Sequence, residues 1–121
     1  MLKSKFDFKD GVDSNDLMLL DPKLMILFAN FLLYCNSHDL PVTITSAVDA
    51  EVPRVSTTHK DGRALDVSVK GWTDQDVLDA VEYFNHEFSY LAAISFSDHM
   101  PRAIIYHDVG HGRHLHLQVR R

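Results

Sequence analysis

The feature that most limits how this chain can fold is the run Leu24–Cys35, LMILFANFLLYC, set just behind Asp21-Pro22. Asp followed by Pro is a helix-start pattern. The carboxylate caps, and proline's fixed φ and missing N–H suit the first helical position. A helix is expected from Pro22 to about Asn36. It is apolar on most sides, which predicts a largely buried helix around which everything else must pack. Twelve residues fall short of the ~20 needed to cross a bilayer, so the run reads as core, with no integral membrane segment expected. A chain of 121 residues has room for one such core, hence a single domain over 1–121.

The remaining elements follow from local pattern. Thr73-Asp-Gln-Asp76 has the form of a capping box and opens a helix to about Phe88. Val77, Leu78, Val81, Phe84 and Phe88 keep helical spacing along it. Strands are predicted at Val42–Ser46, Ala64–Val69, Leu91–Phe96, Arg102–His107 and His114–Val119. Met1–Asp16 reads as a surface lead-in with a short strand at Lys5–Lys9. Asp49–Gly62 is a long loop, a length that is uncommon without a functional reason. Asp108–Gly112 is a turn that makes the last two strands a hairpin. The pattern is α+β, with a mainly antiparallel sheet of four to six strands packed against two main helices.

Composition narrows the function. Twelve Lys+Arg against seventeen Asp+Glu give a net charge of −5, and the pI is about 5.8. That balance argues against a nucleic-acid partner, whose phosphates call for a basic surplus. The basic tail Arg120-Arg121 is the sole counter-signal. One cysteine, Cys35, cannot pair within the chain and is expected to be buried and unreactive. The start, MLKSKFDFKDGVDSND, lacks the apolar segment of a signal peptide, so synthesis in a cytoplasm is expected. A monomer is the favoured assembly. The unusual number is eight histidines, five of them between His99 and His116.

Two clusters can carry chemistry: Thr57-Thr-His59-Lys-Asp-Gly62-Arg-Ala64-Leu-Asp66 and His111-Gly-Arg-His114-Leu-His116-Leu-Gln118. A catalytic zinc site takes three ligands from His, Asp, Glu or Cys and leaves one position open. His59 lies in the long loop and Asp66 in the strand behind it. Gly62 and the small Ala64 let the chain turn and pack closely between them. His114 and His116, two apart in a strand, point to one face. His38, His86 and His99 are expected to face solvent. His107 is strand-borne and close by, but is not expected to ligate. Trp72 and Phe84 are expected in the core or a groove wall.

His59-x-x-Gly62-x-Ala64-x-Asp66 resembles the SxHxxGxAxD signature of the M15 metallopeptidases, the D-alanyl-D-alanine carboxypeptidase and L-alanyl-D-glutamate endopeptidase group. His114-x-His116 resembles the other half of the site in the wider superfamily, which also holds lysostaphin-type enzymes, murein endopeptidases and the hedgehog domain. The likeness runs from about Val42 to Gln118. It implies a hedgehog/D-Ala-D-Ala peptidase-like fold and one zinc ion per chain, held by His59, Asp66 and His116. It also implies hydrolysis of peptide bonds in bacterial peptidoglycan, as a cell-wall lytic enzyme of a phage or prophage. Such an enzyme acts on the wall after release or as a virion component.

The sequence departs from the family pattern at three places. Thr57 replaces the motif's opening serine and keeps the hydroxyl. Ser46-Ala-Val-Asp49 stands where the family often has Ser-Gly-Tyr-Arg, and the nearest arginine, Arg54, is the candidate for contact with a substrate carboxylate or oxyanion. Arg113 stands where many members carry a carboxylate base three residues before the last ligand. The base is therefore expected to be His114, with His111 second and Asp108 third. The same departure supports an alternative: a non-catalytic zinc-binding structural or recognition module of this fold.

Overall fold

Asp21 does cap the first helix. Its carboxylate accepts from the Lys23 N–H at 2.8 Å, and Pro22 opens the helix behind it. The computed structural model describes residues 6–47, 61–95, 98–108 and 113–121. Helix α1 spans Pro22–Ser37, and α2 spans Asp74–Glu87. The Thr73 capping box forms as expected: the Thr73 hydroxyl accepts from the Asp76 N–H at 3.0 Å and the Asp76 carboxylate accepts from the Thr73 N–H at 2.9 Å. The strands are β1 (Asp7–Phe8), β2 (Thr43–Ser46), β3 (Ala64–Ser68), β4 (Ala93–Ile94), β5 (Pro101–Arg102), β6 (Ile104–Asp108) and β7 (Arg113–Gln118). Short 3-10 helices cover Ser14–Leu19 and Ser89–Leu91.

Five strands form one mixed sheet in the order β1-β2-β3-β7-β6. Only β1–β2 is parallel; the other three pairings are antiparallel. Strands β4 and β5 make a separate two-stranded ribbon. Strand alternation gives the main sheet two unlike faces. Ile44, Leu65, Val67, Leu115, Leu117 and Ile104 are fully buried on the face that meets the helices, where α1 rests over β7 and α2 over β6. Phe31 of α1 stacks on Trp72 and packs against Phe84 of α2, with ring centroids 6.1 Å and 5.6 Å apart. The Trp72 indole N–H donates to the Pro41 carbonyl at 2.8 Å, so that core ring has its polar end satisfied.

Four expectations need correction or sharpening. Helix α1 is not buried on most sides: Leu24, Leu27, Phe28, Phe31, Leu32 and Cys35 form one buried stripe, while Met25, Ile26 and Leu33 are about half exposed. A two-layer fold offers a helix only one apolar side, whatever its composition. The described part of the lead-in, from Phe6 on, is mostly exposed, but Phe6, Phe8 and Val12 pack on the core and the short strand joins the sheet edge. The strand expected over Leu91–Phe96 shrinks to Ala93–Ile94 after a 3-10 turn, and Phe96 lies outside the described residues. The strand expected over Arg102–His107 is broken at Ala103, and its halves serve different sheets.

Asn85 of α2 makes that break. Its side-chain oxygen accepts from the Ala103 and Ile104 N–H groups at 2.7 Å and 3.0 Å, and its amide nitrogen donates to the Ile104 carbonyl at 2.9 Å. A side chain thus takes the ladder positions that a neighbouring strand would fill. Asn85→Ala should lower stability by about 2–3 kcal/mol, the scale for part-buried backbone groups left unpaired. Equilibrium urea unfolding measures this; a shift below about 0.5 kcal/mol would show that water replaces the carboxamide.

Candidate functional site

The sheet face turned away from the helices carries polar residues at its centre. The register sets Asp66 of β3 directly opposite His116 of β7, and Ser46 of β2 opposite Asp66. It sets His107 of β6 opposite His114 of β7. By alternation, Ser46, Asp66, His107, His114, His116 and Gln118 share this face. Two-residue spacing on β7 thus becomes a row, and strand pairing brings in residues about fifty positions away.

Asp66 and His116 make its centre. The Asp66 Oδ1 and His116 Nδ1 atoms are 2.9 Å apart, and both residues are buried. A buried carboxylate beside a buried imidazole is tolerable only because each faces the other. His116 Nε2 lies 3.1 Å from the Gln118 Oε1 atom. His107 and His114 are half-buried further along the strands, their ring centroids 5.2 Å apart, and His107 is 5.7 Å from His116. Burial pushes the His107 pKa down, the His116 and His114 imidazoles add to that, and Asp66 pulls it weakly up. His107 is therefore held neutral beside the pair, close by as its strand position suggested. Its place opposite His114 depends on pairing between strands, which spacing along one strand does not reveal.

The donors suit zinc. Oxygen and imidazole nitrogen are its usual ligands, and two such ligands at a tetrahedral centre sit about 3.3 Å apart. The observed 2.9 Å is a few tenths of an ångström short of that, within the reach of small side-chain rotations. The third implied ligand, His59, lies outside the described residues, as do Thr57, Arg54 and His111. Among the described residues no three His, Cys, Asp or Glu side chains converge on a metal position. The structure thus brings together two of the three implied ligands and the first-choice base, and adds His107.

Two motif residues acquire different reasons. Gly62 has φ +71°, and a Cβ there would collide with the Leu19 carbonyl oxygen, whose carbon would be 3.3 Å away. The close approach is to the bend before α1, where Asp21 N–H donates to the Gly62 carbonyl at 2.8 Å. Ala64 is fully buried opposite Gln118. Between them Arg63, also buried, donates from Nη1 to the Val119 carbonyl at 3.1 Å and pairs with Asp61, fastening β3 to the end of β7. Arg113 points to the helix face, where Nη2 meets Asp74 at 2.6 Å and Nε donates to the Tyr106 hydroxyl. It lines a groove there with Val77, Leu78 and Val81. An odd offset from His114 and His116 in a strand puts it across the sheet from them.

His38, His86 and His99 are exposed, as expected, and Trp72 and Phe84 are core. Cys35 is fully buried, and burial pushes its thiol up to about 12, which leaves no thiolate near neutral pH. No family model, curated protein or solved structure matches the chain.

Gly62→Ala should cost at least about 2 kcal/mol, from the left-handed backbone plus the contact with Leu19. A wild-type urea midpoint would refute that close approach. His107 gives a pH signature in chelator-treated protein. Its folded pKa lies below the ordinary ~6.5 of the unfolded chain, so the unfolded state binds more protons and stability drops as pH falls below about 6.5. His107→Gln should flatten the loss of stability between about pH 7.5 and pH 5.5. An unchanged slope would place the titration elsewhere.

Proposed function

We propose that this protein is a zinc peptidase that hydrolyses peptide bonds in bacterial peptidoglycan, in a stem peptide or a cross-link. The observation that carries the reading is the buried Asp66–His116 pair, assembled from residues fifty positions apart, with His114 one step along the same strand. The motif residues His59 and Asp66 and the HxH at His114 and His116 give that pair its chemical meaning. The five-stranded sheet with two helices on one face is then the hedgehog/D-Ala-D-Ala peptidase-like form of an α+β domain. A phage or prophage lytic enzyme, acting on the wall after release or from a virion, is the matching biological setting.

His59, Asp66 and His116 would hold the zinc, which would supply Lewis-acid polarisation of the scissile carbonyl and a water acidic enough to ionise near neutral pH. The chain supplies the rest. Asp66 and His116 come from the sheet's central strand pair, which fixes them rigidly. His114 is about 6–7 Å along the strand from His116, on the same face, and takes the attacking water's proton. Imidazole suits that task because its ordinary pKa lies near neutrality. His111 is the second candidate for the base. Arg54, from the chain ahead of His59, is assigned the substrate carboxylate or the developing oxyanion. The substrate peptide lies across the polar face, where half-buried His107 forms part of the floor.

One observation favours a second reading, a zinc-binding module without turnover. The positions flanking the pair on its own strands and on β2 are Ser46, Ala64, Ser68, His114 and Gln118, with no carboxylate among them. Arg113 is turned to the other face. Incubating zinc-loaded protein with purified peptidoglycan, with and without chelator, separates the two: new amino groups appear only if bonds are cut.

The purified protein should hold about one zinc per chain. His59→Ala or His116→Ala should lose it. His114→Ala should keep zinc while turnover falls about 10²–10⁴-fold, the range for loss of general acid–base help. Full zinc retention in both ligand variants would sink the assignment. Unchanged turnover in His114→Ala with an inactive His111→Ala would exchange the two histidine roles.

A further inference from the structure

Gln118 is buried, with 4% of its surface exposed, and its side chain is held at both ends. The amide nitrogen donates to the Arg102 carbonyl at 3.0 Å and to the Ala93 carbonyl at 3.3 Å. Those carbonyls belong to paired residues of the β4–β5 ribbon. An amide's nitrogen and oxygen have nearly the same shape, and only the surrounding network tells them apart. Here two carbonyl acceptors claim the nitrogen. The oxygen must then face His116 Nε2, 3.1 Å away. An oxygen acceptor needs a hydrogen, so Nε2 carries one. A hydrogen also lies between Nδ1 and the Asp66 carboxylate in the metal-free chain, and that is the hydrogen a metal on this side of the ring would displace.

We infer that Gln118 is a positioning residue that keeps a hydrogen on His116 Nε2, making Nδ1 the atom available to a metal. The inference rests on the zinc reading above for its consequence, but its structural half stands on these hydrogen bonds. A ligating histidine regularly donates its second N–H to an oxygen, which fixes the ring and raises the basicity of the bound nitrogen; loss of such a partner typically costs 10–100-fold in metal affinity. The β4–β5 ribbon thereby becomes part of the metal site's support, although it contributes no ligand. Reversing the amide would set its NH2 group against the imidazole and its oxygen against two carbonyls, which leaves two acceptors unpaired with it.

The wild-type protein tests this first. Long-range ¹H–¹⁵N correlation spectra of the metal-free chain should show Nε2 of His116 protonated, and an unprotonated Nε2 would overturn the inference. In cadmium-113-loaded protein, the metal should couple to Nδ1; coupling through Nε2 would equally overturn it. Gln118→Leu should weaken zinc binding, read by chelator competition, about 10–100-fold. A folded Gln118→Leu protein with wild-type zinc affinity refutes the role. If that variant does not fold, the two wild-type spectra decide. If the wild type binds neither zinc nor cadmium, the peptidase reading fails, while the metal-free spectrum still decides the Nε2 hydrogen.

Discussion

The contact between Asp66 and His116 governs much else in this molecule. A carboxylate and an imidazole have been drawn out of water on adjacent central strands, and the cost of doing so is recovered only while they face each other. Facing requires the β3–β7 register as it stands. A slip of one residue would turn Asp66 into the apolar core and bring Leu65 and Val67 to the polar face. The same register aligns Ala64 with Gln118 and lets Arg63 reach the Val119 carbonyl. Hydrophobic pairing and polar pairing therefore select one alignment, each reinforcing the other.

The sheet also works as a partition. On one side lie the helices, the aromatic cluster and the Arg113–Asp74–Tyr106 group. On the other lie His107, His114, His116 and Asp66. Neighbouring residues of β7 serve different sides, so Arg113, Leu115 and Leu117 answer to packing against the helices while His114, His116 and Gln118 form the polar row. An arginine at position 113 is thus a matter of how α2 is docked, on the side of the sheet away from Asp66 and His116.

Much of the fold was legible because its signals are local. The Asp21-Pro22 start, the Thr73–Asp76 capping box and the β-branched run of β2 each fix their element within a few residues. What resisted reading was set by contacts distant in sequence. Nothing near Ala103 announces that Asn85, eighteen residues earlier, will interrupt a strand. The apolar composition of α1 says nothing of how many layers will cover it, and one layer leaves Met25, Ile26 and Leu33 in water. In the site, the one-face placement of His114 and His116 follows from strand period alone. Pairing with Asp66 took the family resemblance, while the partners of His107 and Gln118 came only with the register and the β4–β5 ribbon.

The junction of Leu19, Asp21 and Gly62 has a consequence for how such a chain can vary. Asp21 spends its carboxylate on the helix start and its own N–H on the Gly62 carbonyl, so one residue anchors two segments. The Leu19 side chain is exposed, and so is that of Met18, which leaves their chemical character free to drift. The number of residues between Ser14 and Asp21 is not free. Adding or deleting one would carry the Leu19 carbonyl away from the glycine and the Asp21 N–H away from its acceptor, four residues ahead of Asp66. Around this bend, natural selection should tolerate altered letters and punish altered length.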